Sequence, residues 1–137
     1  MGSLDRSVAT LRIFGDDLIP EDVSKLLGAE PSKSFRKGAE EVGIVTGNIR
    51  IHKTGSWRLS VERRNPEDLD AQIFEILNQL SQDLSIWHGL CSSYKIDLFC
   101  GIFMASGNDG LTLSPDALLA LGSRGIKLEL DIYDASE

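Results

Sequence analysis

The chain has 137 residues and a mass of 15.0 kDa, enough for one domain with its own core. Hydrophobic residues at 42% and charged residues at 26% exclude a disordered or fibrous class. A formal net charge of -7 and a pI near 4.8 speak against nucleic acid and anionic membranes as partners, since both recruit clustered Lys and Arg.

The two cysteines, Cys91 and Cys100, do not make a disulfide framework and are expected to be reduced. No apolar run approaches the ~20 residues of a membrane span, and residues 1–7 lack the apolar segment of a signal peptide. A cytoplasmic protein is therefore expected, folded as one domain over residues 1–137 with residues 1–7 and 134–137 frayed.

Taken in order, residues 8–14 alternate as a half-buried strand, with Ala9, Leu11 and Ile13 inward and Thr10, Arg12 and Phe14 outward. Pro20 with Glu21 and Asp22 suits the first turn of a short helix, which Gly28 ends. Residues 30–41 are polar and read as a loop. Residues 42–45 form a short edge strand, and 48–53 with 56–62 a hairpin turning at Thr54-Gly55. In its second arm Trp57, Leu59 and Val61 face the core.

Asn65-Pro66-Glu67-Asp68 reads as an N-cap, a first-position proline and two first-turn carboxylates ahead of Leu69, Ile73, Ile76, Leu77 and Leu80. Ser81-Gln82-Asp83 caps a second helix with Leu84, Trp87 and Leu90. The chain then returns so that a strand over 94–104 lies antiparallel beside the hairpin, with Ile96, Leu98, Cys100 and Ile102 inward. After a glycine-containing turn at 105–110, Ser114-Pro115-Asp116 opens a helix that Gly122 or Gly125 closes. The last strand places Ile126, Leu128, Leu130 and Ile132 inward.

The segment 18–23 can be laid on 113–118, and both helices carry a terminal Leu-Gly (Leu27-Gly28, Leu121-Gly122). Two strand–helix–strand halves joined by helices predict an α+β fold: a ferredoxin-like two-layer sandwich with an antiparallel four-strand sheet, an added hairpin and an extra central helix.

Residues 9–15 (Ala-Thr-Leu-Arg-Ile-Phe-Gly), Pro20 through Pro31, Gly55-Ser56-Trp57, 96–101 (Ile-Asp-Leu-Phe-Cys-Gly) and 128–133 (Leu-Glu-Leu-Asp-Ile-Tyr) carry a resemblance. Over nearly the whole chain it resembles the bacterial domain-of-unknown-function family numbered 4279. The resemblance implies a bacterial protein and no assigned activity, so no catalytic residues transfer from it.

The residues offer little chemistry of their own. His52 and His88 lie on different elements, and no Cys-x-x-Cys or His-x-x-x-His spacing exists, so no metal site is expected. No Gly-x-Ser-x-Gly elbow is present, and a buried Cys100 has a raised pKa. Gly101, Gly107 and Gly110 lack both a dinucleotide fingerprint and a Walker lysine, and Asp109 and Asp116 repel phosphate. Gly107-Asn108-Asp109-Gly110 lacks the ligands of a calcium loop. No catalytic, metal or cofactor-binding residues are expected, and the chain is read as not an enzyme.

What remains is the outward sheet face, where Arg12, Phe14, Arg58, Asp97, Phe99, Phe103, Asp131 and Tyr133 form the candidate binding or dimer face. Four aromatics among charges are more apolar than a bare solvent face requires. A covering hairpin or N-terminal segment, a homodimer, and a ligand or partner platform are the three explanations. The basic-aromatic signature of an RNA-binding sheet is absent. The expected function is a non-catalytic protein-interaction module, immunity- or regulator-like. A small-molecule-sensing module is the alternative and an enzyme the third reading. A cleft flanked by Arg12, Arg58 and Asp97 or Asp131 favours the small molecule; a flat acidic surface favours a protein.

Overall fold

A computed structural model describes residues 2–134. Its central sheet has strands β2 (Arg6–Gly15), β3 (Lys33–Phe35), β6 (Gly55–Ser60), β7 (Lys95–Phe103) and β9 (Lys127–Tyr133), in the order β3-β6-β2-β7-β9. Helices α1 (Pro20–Leu27), α2 (Leu69–Leu77), α3 (Leu84–Ser93) and α4 (Pro115–Arg124) join them. Two small pairs complete the fold: β1 (Gly2–Ser3) with β8 (Asp109–Gly110), and β4 (Glu40–Val42) with β5 (Ile49–Ile51).

The expected α+β class holds, with the sheet mixed rather than antiparallel. β2 runs antiparallel to both β6 and β7, but β7 and β9 are parallel. The cause is α4, which carries the chain back over the sheet so that β9 starts at the same end as β7. The first half uses a different second strand from the one expected. β3, read from sequence as loop, pairs antiparallel with β6 and so runs parallel to β2, with β6 inserted between them. The returning strand β7 lies beside β2, not beside the 56–62 strand. The two halves therefore differ in topology, and their helices differ too: α1 ends at Gly28, whereas α4 runs through Gly122 to Gly125.

The expected hairpin is also rearranged. β5 pairs backward with β4, in the register Glu41↔Arg50 and Val42↔Ile49. Gly55 does not make the turn. A Cβ there would stand 2.7 Å from the Gly15 carbonyl oxygen, so its glycine is used for close approach of β6 to the end of β2. Likewise, Asp68 and not Asn65 caps α2: its side chain accepts from the Ala71 N–H, and Pro66, behind a cis bond to Asn65, lies ahead of the helix. Asp83 and Ser114 cap α3 and α4 as expected.

The core lies between the helices and the face bearing Leu11, Ile13, Trp57, Leu98, Cys100 and Ile102, all buried. Trp57 donates from Nε1 to Ser24 Oγ of α1 at 3.0 Å, a partner that a buried indole needs. Gln72 of α2 bonds Ser7 and the Glu62 carbonyl, tying that helix to the β2 and β6 ends. At the β9 edge the inward assignment fails in part: Leu130 and Ile132 stay 45% and 60% exposed, where the helical layer does not reach. Of the terminal residues expected to fray, Gly2–Ser3 pair with β8, and Leu4 is buried. Met1 and residues 135–137 lie outside the described residues.

Candidate functional site

Alternation puts the even residues of β2 and the odd residues of β7 and β9 on the outward face. One rung crosses all five strands: Lys33, Arg58, Arg12, Asp97, Lys127. Four cations and one carboxylate share this line. Arg12 donates to both carboxylate oxygens of Asp97, at 2.8 and 2.7 Å, a bidentate fork. Its guanidinium also lies 4.4 Å from the Phe99 ring centre and 5.2 Å from that of Phe14. The Asp97 hydrogen bond holds the Arg12 pKa above its ordinary value.

Arg58 is placed differently. It lies 5.5 Å from the Phe14 ring centre and has no carboxylate within ion-pair distance among the described residues. Burial, followed by the nearby Arg12 and Arg50 charges, pushes its pKa below that of an ordinary arginine; Asp97 and Glu41 act in the opposite sense.

The other end of the face forms a separate group. Phe103 and Tyr133 stack at 4.6 Å, Arg6 lies 4.0 Å over Phe103, and the Tyr133 hydroxyl donates to Asp131 at 2.6 Å. Gly101 lies between this group and Phe99, because Val8 and Phe103 fill the space a side chain would take. The eight candidate residues thus fall into two clusters: Arg12, Phe14, Arg58, Asp97 and Phe99 in one, and Phe103, Asp131 and Tyr133 in the other.

The β4–β5 pair forms an arm whose base lies against the first cluster. Glu41 binds Lys33 and His52, and His52 stacks on Phe35 at 3.8 Å. This face of the arm carries Glu41 and Arg50; the alternate residues Val42, Ile49 and Ile51 are 60–62% exposed. Ile44 and Val45 at the tip are fully exposed. Beneath the arm is a cleft of about 450 Å³ with Phe14, Arg50, His52, Lys53, Ser56 and Arg58 in its wall. Arg50, His52 and Lys53 were not among the expected site residues. For Arg50 and His52 the signal is the alternation of 49–52, unreadable without knowing that β5 pairs with β4; Lys53 lies beyond it.

A larger hollow of about 680 Å³ lies on the other side of Phe14 and Thr54, lined also by Cys91, Tyr94 and Lys95. Burial raises the Cys91 thiol pKa, which opposes a nucleophilic role there. Cys100 is pushed up to about 12, by burial first and by Asp97 second. Among the described residues no three His, Cys, Asp or Glu side chains stand together as a metal set, and no helix is long and apolar enough to cross a membrane.

These features define a mixed α+β domain whose outward sheet face carries a charged-aromatic cleft and a projecting arm. The model of the family described as Domain of unknown function (DUF4279) matches residues 5–135, and the chain belongs to that family. No curated protein and no solved structure matches the chain.

Proposed function

We propose that this chain is a non-catalytic protein-interaction module that engages its partner through the β4–β5 arm. The observation that carries the reading is the arm's apolar outer surface: Val42, Ile44, Val45, Ile49 and Ile51, each at least 60% exposed, on one projecting segment. An isolated two-stranded ribbon is marginal in water, and a clustered apolar surface on it gains most by docking. The occupant is a second kind of protein with an apolar groove, not a second copy. Two chains of net charge -7 repel each other, whereas a basic partner is attracted and steered. Burial raises the pKa of both thiols, which speaks against a thiolate nucleophile.

The test is photo-crosslinking from position 44 in cells that make the protein, followed by reconstitution with the captured partner in purified form. Ile44→Asp with Val45→Asp is expected to weaken that complex at least about tenfold while leaving the urea midpoint of the free chain unchanged. Equal affinity of the double variant sinks the reading. So does light scattering that shows the free chain to be a dimer whose mass halves on Phe99→Asp or on the arm substitutions.

A further inference from the structure

The cleft beneath the arm is lined mainly by polar and charged residues, with Ile51 of the arm's apolar row among them. Arg50 of β5 and Arg58 of β6 both line it, together with Lys53, Phe14 and Ser56. They also share a smaller recess with Lys33, Glu41 and His52. The neighbouring charges are already engaged: Lys33 and His52 by Glu41, Arg12 by Asp97, Lys37 by Asp16. Arg50, Lys53 and Arg58 have no such carboxylate among the described residues.

We propose that this cleft binds a small organic anion, a carboxylate or phosphate ester, with the Arg50 and Arg58 guanidinium groups holding the anionic group and Phe14 with Ser56 walling its body. Three cations gathered at one recess, one of them half-buried against an aromatic ring, repel one another, and an anion removes that cost. The guanidinium fork matches the two oxygens of a carboxylate or phosphate. The volume of about 450 Å³ lies within the ordinary range for small-molecule sites. Burial and the Arg12 and Arg50 charges lower the Arg58 pKa more than Asp97 and Glu41 raise it, which agrees with a cation that has no carboxylate paired directly to it.

The rest of the molecule sets the size of the ligand. A net charge of -7 repels an extended polyanion along its length. A small anion feels mainly what lies within the Debye length of about 8 Å at physiological salt, and the cleft's lining holds three cations and no carboxylate. The cleft's cations are separate from the apolar tip at Ile44 and Val45, so anion binding does not depend on the arm's partner.

The experiment is a thermal-unfolding titration of the purified chain with sodium phosphate and with sodium benzoate, each against sodium chloride at equal ionic strength. Stabilisation that rises with probe concentration beyond the chloride control is expected. The probe that acts at the lower concentration identifies the anionic group. Arg50→Gln and Arg58→Gln should each weaken the effect at least about tenfold, the loss of a charge-assisted hydrogen bond. Arg50 is exposed, so its variant tests the site even if Arg58→Gln folds poorly. Arg64→Gln, whose guanidinium pairs with Glu75, should bind as the wild type does. A response no larger than that of chloride overturns the proposal, as does equal weakening by Arg64→Gln.

Discussion

Asp97 is the one carboxylate in a rung of cations, and its environment makes it sensitive to small changes. Its side chain is 16% exposed and that of Arg12 24%, so the pair is neither fully screened nor fully desolvated. Two charge-assisted bonds of 2.8 and 2.7 Å hold Arg12 beside Phe99 and Phe14. Asp97→Asn keeps the shape but removes the counter-charge, leaving Arg12 beside Arg58 without its paired carboxylate. A loss of about 1–3 kcal/mol is expected, read as a lower urea midpoint with an unchanged slope. A neutral result would mean that the aromatic contacts alone hold Arg12. Asp97 would then have no structural task on this face.

At the scale of elements, the junction of α2 with α4 is fixed by one side chain. Asp70 Oδ1 accepts from the Ser114 N–H at 2.7 Å and Asp70 Oδ2 from the Ser114 hydroxyl at 3.0 Å. The Ser114 hydroxyl in turn accepts from the Ala117 N–H at 3.1 Å, capping α4. Asp70→Ala should therefore cost about 1–2 kcal/mol, as the loss of a helix cap does. The double variant with Ser114→Ala should cost less than the sum of the two single changes, because both act on one cap. Additive costs in urea unfolding would show that Asp70 contributes only as a first-turn carboxylate of α2.

Ser114 was legible as a cap from Ser-Pro-Asp alone; its dependence on Asp70, 44 residues earlier, was not. The same divide runs through the fold. β2, β7 and the four helices follow from period-2 and period-3.6 patterns that their own residues carry. β3 and the β4–β5 arm are three-residue strands, too short for any period to show. Partner choice also lay outside the reach of local pattern: β6 could not be seen to pair with β2 and β3, nor β9 to run parallel to β7. The candidate face was legible as far as its regular strands extend, which recovered the Arg12–Asp97–Phe99 cluster and Arg58. The cleft's other wall comes from the arm, so Arg50 and Lys53 stayed out of sight.

For the whole molecule, the acidic excess shapes how stability follows pH. Asp16, Glu21, Glu41, Asp83 and Asp109 all have pKa values below their ordinary 3.8 or 4.5. The leading causes are hydrogen bonds from Thr54, the Glu21 backbone, Lys33, Ser85 and Ser106 respectively. A carboxylate whose folded pKa is depressed adds stability above its unfolded pKa and loses it as pH falls through the folded value. Between neutrality and the pI near 4.8, however, self-repulsion from the charge of -7 is relieved, which favours the compact state. On the alkaline side Cys100 acts with the opposite sign. Its folded pKa is raised from 9.0 to about 12, so its contribution is complete below 9.0 and fades as pH climbs toward 12. The urea midpoint at constant ionic strength should therefore hold or rise slightly from pH 7 to 5, then fall below pH 4. It should fall again above pH 9, and Cys100→Ala should flatten that alkaline limb while leaving the acid limb in place. A midpoint that keeps rising below pH 3.5 would show that charge relief outweighs the paired carboxylates. An alkaline limb unchanged by Cys100→Ala would assign it to other groups.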